Sequence, residues 1–436
     1  MRSRQLIAFL NFVFELSMSH CVWYISKYVC PPQRGTAGVR GYLLMKELAK
    51  LGHEVVIITS DSNQLTQAPS FEGNYLLECS DGIDLWWIKT LKYGVAKSSK
   101  RILSWLHFEW RLFRMPKKKL PTPNVVIVSS LSLLTILNGF LLRRKYGCKL
   151  VLEIRDIWPL TLTEEGGFEK NNPFVKALGI VEKLGYKHAD NIVGTMPNLK
   201  AHVKHVLGYD KQVYCVPMGY EEGLTAKGLQ LPHDYIENYI PQDKFVIAHV
   251  GSIGITNALD TFFECASAMT IESNIQFLLV GDGDLKIQFE STYGHLANVT
   301  FAPKVDKYLV PSVLAKCDLL YFSSHSSKVW DYGQSLNKVI DYMLSGKPIL
   351  ASFTGFPSMI NEADCGVFVP AGDSVALQEA ILRLAKLRSN ELAQMGARGR
   401  QWIMRNRSYE QLAADYKKIL FPIEMISSNS NPKLVN

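Results

Sequence analysis

The stretch FVIAHVGSIGITNALDTFFECASAMTIESNIQFLLVGDGD, residues 245–284, decides the fold. An apolar run of strand length meets a glycine turn, Gly251-Ser252-Ile253-Gly254, and a helical pattern over 258–269 follows. A second apolar run then ends in Gly281-Asp282-Gly283. Strand, crossover helix and strand in that order make a parallel βαβ unit, and unbroken apolar runs suit strands buried on both faces. The rhythm continues through a helix at 284–293, VTFAP, a helix at 308–315, DLLYFSS, the segment 330–352, GVFVP and a helix at 373–388. Upstream the same alternation runs from residue 19: HCVWYISKY, a helix near 42–51, EVVIITS, VVIVSS, an apolar helix at 131–142, KLVLEI, a helix at 173–188, NIVGT, a helix near 197–207 and VYCVP. Residues 218–244 interrupt it with turn residues and few apolar runs, as a linker does.

The pattern predicts an α/β protein of two Rossmann-like, doubly wound parallel-sheet domains facing a central cleft. The first covers 19–217 and the second 245–406. A helix at 407–420 packs back on the first domain, and 421–436 form a polar tail. In open α/β sheets, ligands bind at the crevice beyond the carboxyl ends of the strands.

At 436 residues the chain suits two domains of roughly 200 residues each. With 47% hydrophobic and 20% charged residues it reads as globular. The eight cysteines are scattered, with no CxxC or Cys/His pairing, so neither a zinc site nor a disulfide framework is expected. Arg2 and Arg4 ahead of an apolar run imitate a signal peptide, but the run is far too short to span a bilayer. Residues 1–18 are read as an appendage, and the protein as cytoplasmic.

The net charge of +8 is concentrated. Residues 92–121 carry nine Lys/Arg and one Glu, interleaved with Trp105, Phe108, Trp110 and Phe113. Such a stretch suits peripheral contact with an anionic membrane surface. A core helix with a solvated basic face is the other reading. Nucleic acid is not expected, since no nucleic-acid module accompanies the patch.

The second half holds the clearest chemistry, in WDYGQSLNKVIDYMLSGKPILAS, residues 330–352. A nucleoside diphosphate needs backbone N–H groups, a helix N-terminus and a positive charge for its phosphates, and a carboxylate for its ribose hydroxyls. Gly333 permits close backbone approach, Ser335 or Asn337 can cap the helix, Lys338 supplies the charge and Asp341 the carboxylate. Gly251, Ser252 and Asn257 after one strand, and Gly281 and Asp282 after another, point to the same sheet edge. Neither turn is a dinucleotide fingerprint: Lys286 stands where the third glycine of GxGxxG belongs. In the first half, EIRDIWP places Arg155 and Asp156 at a strand end, and the loop Gly35-Thr36-Ala37-Gly38 can bring amides to a phosphate or an acceptor.

These segments resemble the GT-B glycosyltransferases of family 4, in particular the bacterial O-antigen and capsule branch with fucosaminyltransferase-type enzymes. The likeness rests on PPQRGTAGVRGYLLMKELAKLGHEVVIIT, EIRDIWP, HVGSIGITNALDT, LLVGDGD and SLNKVIDYMLSGKPIL. The family pattern has two glutamates with seven residues between them. Asp341 matches the second, whereas Gly333 falls on the first. The usual arginine and lysine after the glycine turn fall on Ser252 and Asn257, with Lys338 as the replacement charge, and the first-domain histidine falls on Arg155. The resemblance implies a retaining, metal-independent transferase without cofactor. It would carry a sugar, such as an N-acetylated deoxyhexosamine, from a UDP-sugar to a lipid-linked saccharide. Arg155, Asp156 and Lys338 would act in catalysis. A UDP-sugar 2-epimerase of the same fold and a non-catalytic sugar-nucleotide-binding subunit are the alternatives.

Overall fold

The computed structural model describes residues 19–35, 38–63, 66–94, 99–221 and 229–422. The proposed appendage, most of the tail, and Thr36 and Ala37 of the glycine loop lie outside them.

The first sheet has eight strands: β1 (Cys21–Ile25), β2 (Glu54–Ser60), β3 (Tyr75–Ser80), β4 (Ile83–Ile88), β5 (Val125–Ser129), β6 (Lys149–Ile154), β7 (Asn191–Gly194) and β8 (Val213–Cys215). Their order is β3-β4-β2-β1-β5-β6-β7-β8. Between them run α1 (Val39–Lys50), α2 (Ser99–Arg114), α3 (Thr135–Tyr146), α4 (Leu160–Glu164), α5 (Pro173–His188) and α6 (Leu199–Leu207). The sheet is mixed, not wholly parallel, because β3 pairs antiparallel to β4. The turn Asp81-Gly82, both residues at positive φ, closes that hairpin, as an Asp-Gly pair favours.

Successive side chains of a strand point to opposite faces, and here each face has its own core. Trp23 and Ile25 join Phe108 and Leu112 of α2, Ile136 and Leu142 of α3 and Tyr186 of α5. Val22 and Tyr24 join α1 on the other face.

The second domain opens with α7 (His233–Tyr239), inside the span that reads as a linker; its Tyr235, Ile236 and Tyr239 pack on the second core. β9 (Phe245–Ser252), α8 (Asp260–Ala268), β10 (Ile275–Asp282), α9 (Lys286–Tyr293), β11 (Val299–Ala302), α10 (Val310–Ala315) and β12 (Leu319–Ser323) come next. Then come α11 (Asn337–Ser345), β13 (Ile349–Ser352), α12 (Met359–Glu362), β14 (Gly366–Val369), α13 (Ser374–Ala385), α14 (Ser389–Asn406) and α15 (Tyr409–Leu420). This sheet is parallel throughout, in the order β11-β10-β9-β12-β13-β14.

Among the described residues, three connections join the domains. The two chain crossings run side by side, the Tyr220 amide donating to the Arg407 carbonyl at 3.0 Å and the Tyr409 amide to the Tyr220 carbonyl at 3.1 Å. Beyond them α15 lies against α1, and Leu412, Ala413, Tyr416 and Leu420 enter the first domain's core. The third is a strap, residues 324–336, between β12 and α11. Its Val329 is buried in the first domain's core, and Asn198 donates to it twice at 3.0 Å, from its amide to the Tyr332 carbonyl and from Nδ2 to the Asp331 carbonyl.

Candidate active site

Helix α11 starts directly after the strap and organises the cleft. At 100° per residue, Asn337, Asp341 and Lys338 fall within one sector of about 100°. Asn337 and Asp341 open into a cavity of about 530 Å³ between the domains, within the range of small-ligand sites. Arg40, Arg155 and Gly38 line it from the first domain, and Lys307, Tyr308 and Arg400 from the second. Cations outnumber carboxylates there, since among the described residues only Glu221 joins Asp341. The carboxylate of Asp341 is open to the cavity but sunk among protein atoms. That desolvation raises its pKa to about 6, with Lys307 acting in the opposite direction.

Lys338 turns to the other side of the same sector. Its ammonium donates to Oδ1 of Asn257, whose Nδ2 donates to Oγ of Ser252 at 3.1 Å. The end of its side chain lies over Gly251. Burial lowers its pKa to about 8. Beneath it, burial and then the Lys338 charge push His249 down to about 3. The neutral His249 ring donates from Nε2 to the Ser252 carbonyl at 3.2 Å, which fixes the glycine turn.

On the first-domain wall, Arg40 and Glu153 form a fully buried ion pair at 2.8 Å. Tyr24 donates to the same carboxylate at 2.7 Å, and Arg40 also donates to the carbonyls of Pro217 at 3.1 Å and Val216 at 2.5 Å. Burial alone would raise the Glu153 carboxyl, but Arg40 and Arg155 outweigh it and hold it below the ordinary range. Arg40 is thereby committed to structure. Arg155, half-buried and with its amide held by Oγ of Ser130 at 3.0 Å, keeps its guanidinium at the cavity wall.

Two family models cover most of the chain: the glycosyl transferase 4-like domain matches residues 35–219, and glycosyl transferases group 1 matches 244–386. The chain belongs to the group 1 glycosyltransferases. No curated protein matches it by sequence. Solved structures share the two-domain GT-B fold at low identity. Sucrose-phosphate synthase from Thermosynechococcus elongatus is 19% identical, with a TM-score of 0.67 over 92% of this chain and 98% of that one. WaaG, a glycosyltransferase involved in lipopolysaccharide biosynthesis, is 16% identical, with a TM-score of 0.62 over 92% and 100%. Anabaena HepE, in complex with UDP and glucose, is 12% identical, with a TM-score of 0.62 over 92% and 99%.

In this glycosyltransferase the residues singled out from the sequence divide into groups. Gly38, Arg155, Asn337 and Asp341 share the cavity. Gly251, Ser252, Asn257 and Lys338 form the adjoining cluster. Gly281 pairs in register with Gly251. The others serve elsewhere. Asp282 points outward to Lys304, at 3.1 Å. Gly35 forms a bridge to Thr66. Asp156 turns from the cavity toward Trp158 and Arg101, and burial raises its pKa while Arg155 opposes. Neither Ser335 nor Asn337 caps α11, whose N-cap is Leu336; Oγ of Ser335 instead accepts from the Met218 amide at 2.8 Å. Gly333, at φ 97°, lies against Pro197 of the first domain. Sequence reasoning missed Lys307, Tyr308 and Arg400. Lys307 and Tyr308 sit in a one-turn helix after Asp306, whose side chain accepts from the Tyr308 amide; an Asp-led turn at the sheet edge was the available signal.

Proposed function

We propose that the protein transfers a sugar from a nucleotide diphosphate donor, a UDP-sugar, to a hydroxyl of a lipid-linked saccharide. The reading is carried by one observation: Asp341 of the second domain and Arg155 of the first face one cation-rich cavity, with the Lys338 ammonium one step away over a glycine turn. Asp341 accepts from the ribose hydroxyls. The first turn of α11 offers backbone N–H groups and the positive end of the helix dipole to the diphosphate.

Charge builds on the departing diphosphate as the glycosidic bond breaks, and groups already aimed at that position lower the barrier. Lys338 supplies one positive charge from the second domain, and Arg155 a second from the first. Asn257 holds Lys338 without neutralising it, so the charge stays available. The ring of Tyr308 at the cavity edge offers a stacking face for the base. Bringing acceptor and donor together between two domains excludes water and suppresses hydrolysis.

The finer assignments follow the family resemblance: retention of anomeric configuration, no metal, a donor such as an N-acetylated deoxyhexosamine, and a place in O-antigen or capsular polysaccharide synthesis. HepE bound to UDP and WaaG in lipopolysaccharide biosynthesis support this direction. Among the described residues no helix is long and apolar enough to cross a membrane. Contact with the inner face of the inner membrane is therefore proposed as peripheral, through 92–121. Helix α2 supports it, with Leu103, Leu106, Trp110 and Phe113 all more than half exposed along one stripe. Lys117 takes no part; it is buried, and its ammonium donates to the carbonyls of Leu112, Phe113 and Met115 at the end of α2.

Thermal-shift screening with UDP-, GDP- and dTDP-sugars tests the donor. A rise in melting temperature with UDP-sugars that Asp341→Ala abolishes supports the reading. Stabilisation by none of them removes it.

A further inference from the structure

Helices α2, α3 and α5 feed their inner sides into one core beneath the same face of the first sheet, so their outer sides form one layer. That layer carries apolar residues well beyond α2. On α3, Leu137 and Leu141 are 43% and 50% exposed, and on α5 Ile180 and Leu184 are 64% and 39% exposed. Leu137, Phe140 and Leu184 wall an open groove of about 780 Å³, with Arg144 and His188 at its rim. Contiguous exposed apolar surface of this kind marks an interaction site.

The charge of the layer is one-sided. The three helices hold ten Lys/Arg and two Glu, and both glutamates turn inward. Glu109 of α2 accepts from Ser132 at 3.0 Å, Thr135 at 2.6 Å and Asn138 at 2.8 Å. Glu182 of α5 is buried against His202 at 2.7 Å. The carboxylate lining the groove, Asp190, is paired with Arg143 at 2.8 Å. No glutamate of these helices is left to repel an anion.

We propose that this three-helix layer, and not α2 alone, is the face that lies on an anionic bilayer, with the groove between α3 and α5 taking an acyl chain of a phospholipid. It extends the membrane contact proposed above. Cations with exposed leucine, isoleucine and tryptophan match a surface that is anionic at its headgroups and apolar just below. A second copy of this chain does not fit, because a two-fold interface would set the same cationic patch against itself. The layer also leads to the chemistry. On the inner side of α2, Nε1 of Trp105 donates to Oη of Tyr28 at 2.6 Å, and its ring packs edge-on against Trp158 at 5.2 Å. Trp158 stands three residues beyond Arg155 of the cavity wall, so a lipid-borne acceptor reaches the site while its chain stays in the membrane.

The test is co-sedimentation of the full chain with phosphatidylglycerol-containing vesicles and with pure phosphatidylcholine vesicles. Two double variants are compared, Leu137→Asp with Leu184→Asp, and Trp110→Asp with Phe113→Asp; UDP thermal shift is the control for folding. The wild type is expected to bind only the anionic vesicles, and each double variant to lose about tenfold or more in affinity with the UDP shift unchanged. Wild-type affinity in Leu137→Asp/Leu184→Asp overturns the three-helix layer while leaving α2 contact standing. No binding by the wild type overturns both. A dimer by light scattering that this variant dissociates, with vesicle binding intact, assigns the groove to a second copy and also overturns the proposal. Anionic-vesicle binding without any UDP shift supports this face and removes the donor reading instead.

Discussion

Gly333 and Pro197 meet across the two domains: a β-carbon added to Gly333 would lie 2.5 Å from Cδ of Pro197. The position that the family resemblance matches to a glutamate is therefore a contact between domains in this protein. The strap turns there at φ 97°, a conformation glycine adopts at little cost and other residues rarely do. Placing a glutamate there is expected to damage the enzyme. Gly333→Glu should lower stability by about 1–3 kcal/mol through overpacking, and turnover should fall with it. Thermal unfolding and a transfer assay check this; a more active Gly333→Glu enzyme would mean the strap can swing its side chain into the donor site.

The two working faces of α11 should separate under mutation. Asp341→Ala is expected to weaken UDP binding by about 1–3 kcal/mol, the loss for charge-assisted hydrogen bonds to the ribose, as read by calorimetric titration. Unchanged affinity would take the ribose away from this carboxylate.

Lys338→Gln should keep the contact with Asn257 but lose the charge on the leaving group. Turnover is expected to drop by about 100- to 1000-fold, the range for losing one preorganised stabilising group, while uridine binding changes far less. Equal losses in both would argue for a role in binding alone.

The same two groups set a pH window for the free enzyme. Asp341 works ionised, and its pKa is raised to about 6, so kcat/KM should fall as pH drops through that value. Lys338 works protonated, and its pKa is lowered to about 8, so kcat/KM should fall as pH climbs through that value. Asp341→Asn should abolish the acid limb and Lys338→Gln the alkaline one. Both shifts disfavour the charged forms in the fold. The stability linked to Asp341 is present at low pH and lost as pH rises through about 6; that linked to Lys338 is present at high pH and lost as pH falls through about 8. Asp341→Asn is accordingly expected to melt higher than the wild type at pH 7.5.

Arg40 illustrates the cost of breaking a buried pair. Arg40→Ala would strand the Glu153 carboxylate among Tyr24 and Tyr416, and about 3–5 kcal/mol of stability should be lost. Urea unfolding of Arg40→Ala beside Arg40→Ala/Glu153→Gln measures it, the double variant recovering part of the loss.

Much of this architecture is legible from residue order because parallel strands buried on both faces leave unbroken apolar runs. EVVIITS, KLVLEI and the helix at 173–188 fall where the pattern puts them. The hairpin β3–β4 was signposted by Asp81-Gly82 yet interrupts the alternation, so a scan for repeating units passes over it. Helix α14 is hidden differently: only Gly396, Gly399 and Ile403 are buried along its 18 residues, too thin a stripe to stand out. At the site, Asp341 and Lys338 announce themselves because they sit one turn apart on a single helix. Lys307 and Arg400 reach the cavity from a short turn and a distant helix, and no local spacing links them to Asp341. Gly333 shows the opposite limit, since only the folded chain reveals that its neighbour is Pro197.

The buried side chains of α15 set an order of assembly. Tyr416 and Leu420 belong to the same core as Val22 and Tyr24, so the first domain lacks its last packing pieces until residue 420 has left the ribosome. The second domain has all its strands before then and can mature while the first still waits. A nascent chain stalled short of residue 409 would hold a finished second domain beside a first domain with an open seam.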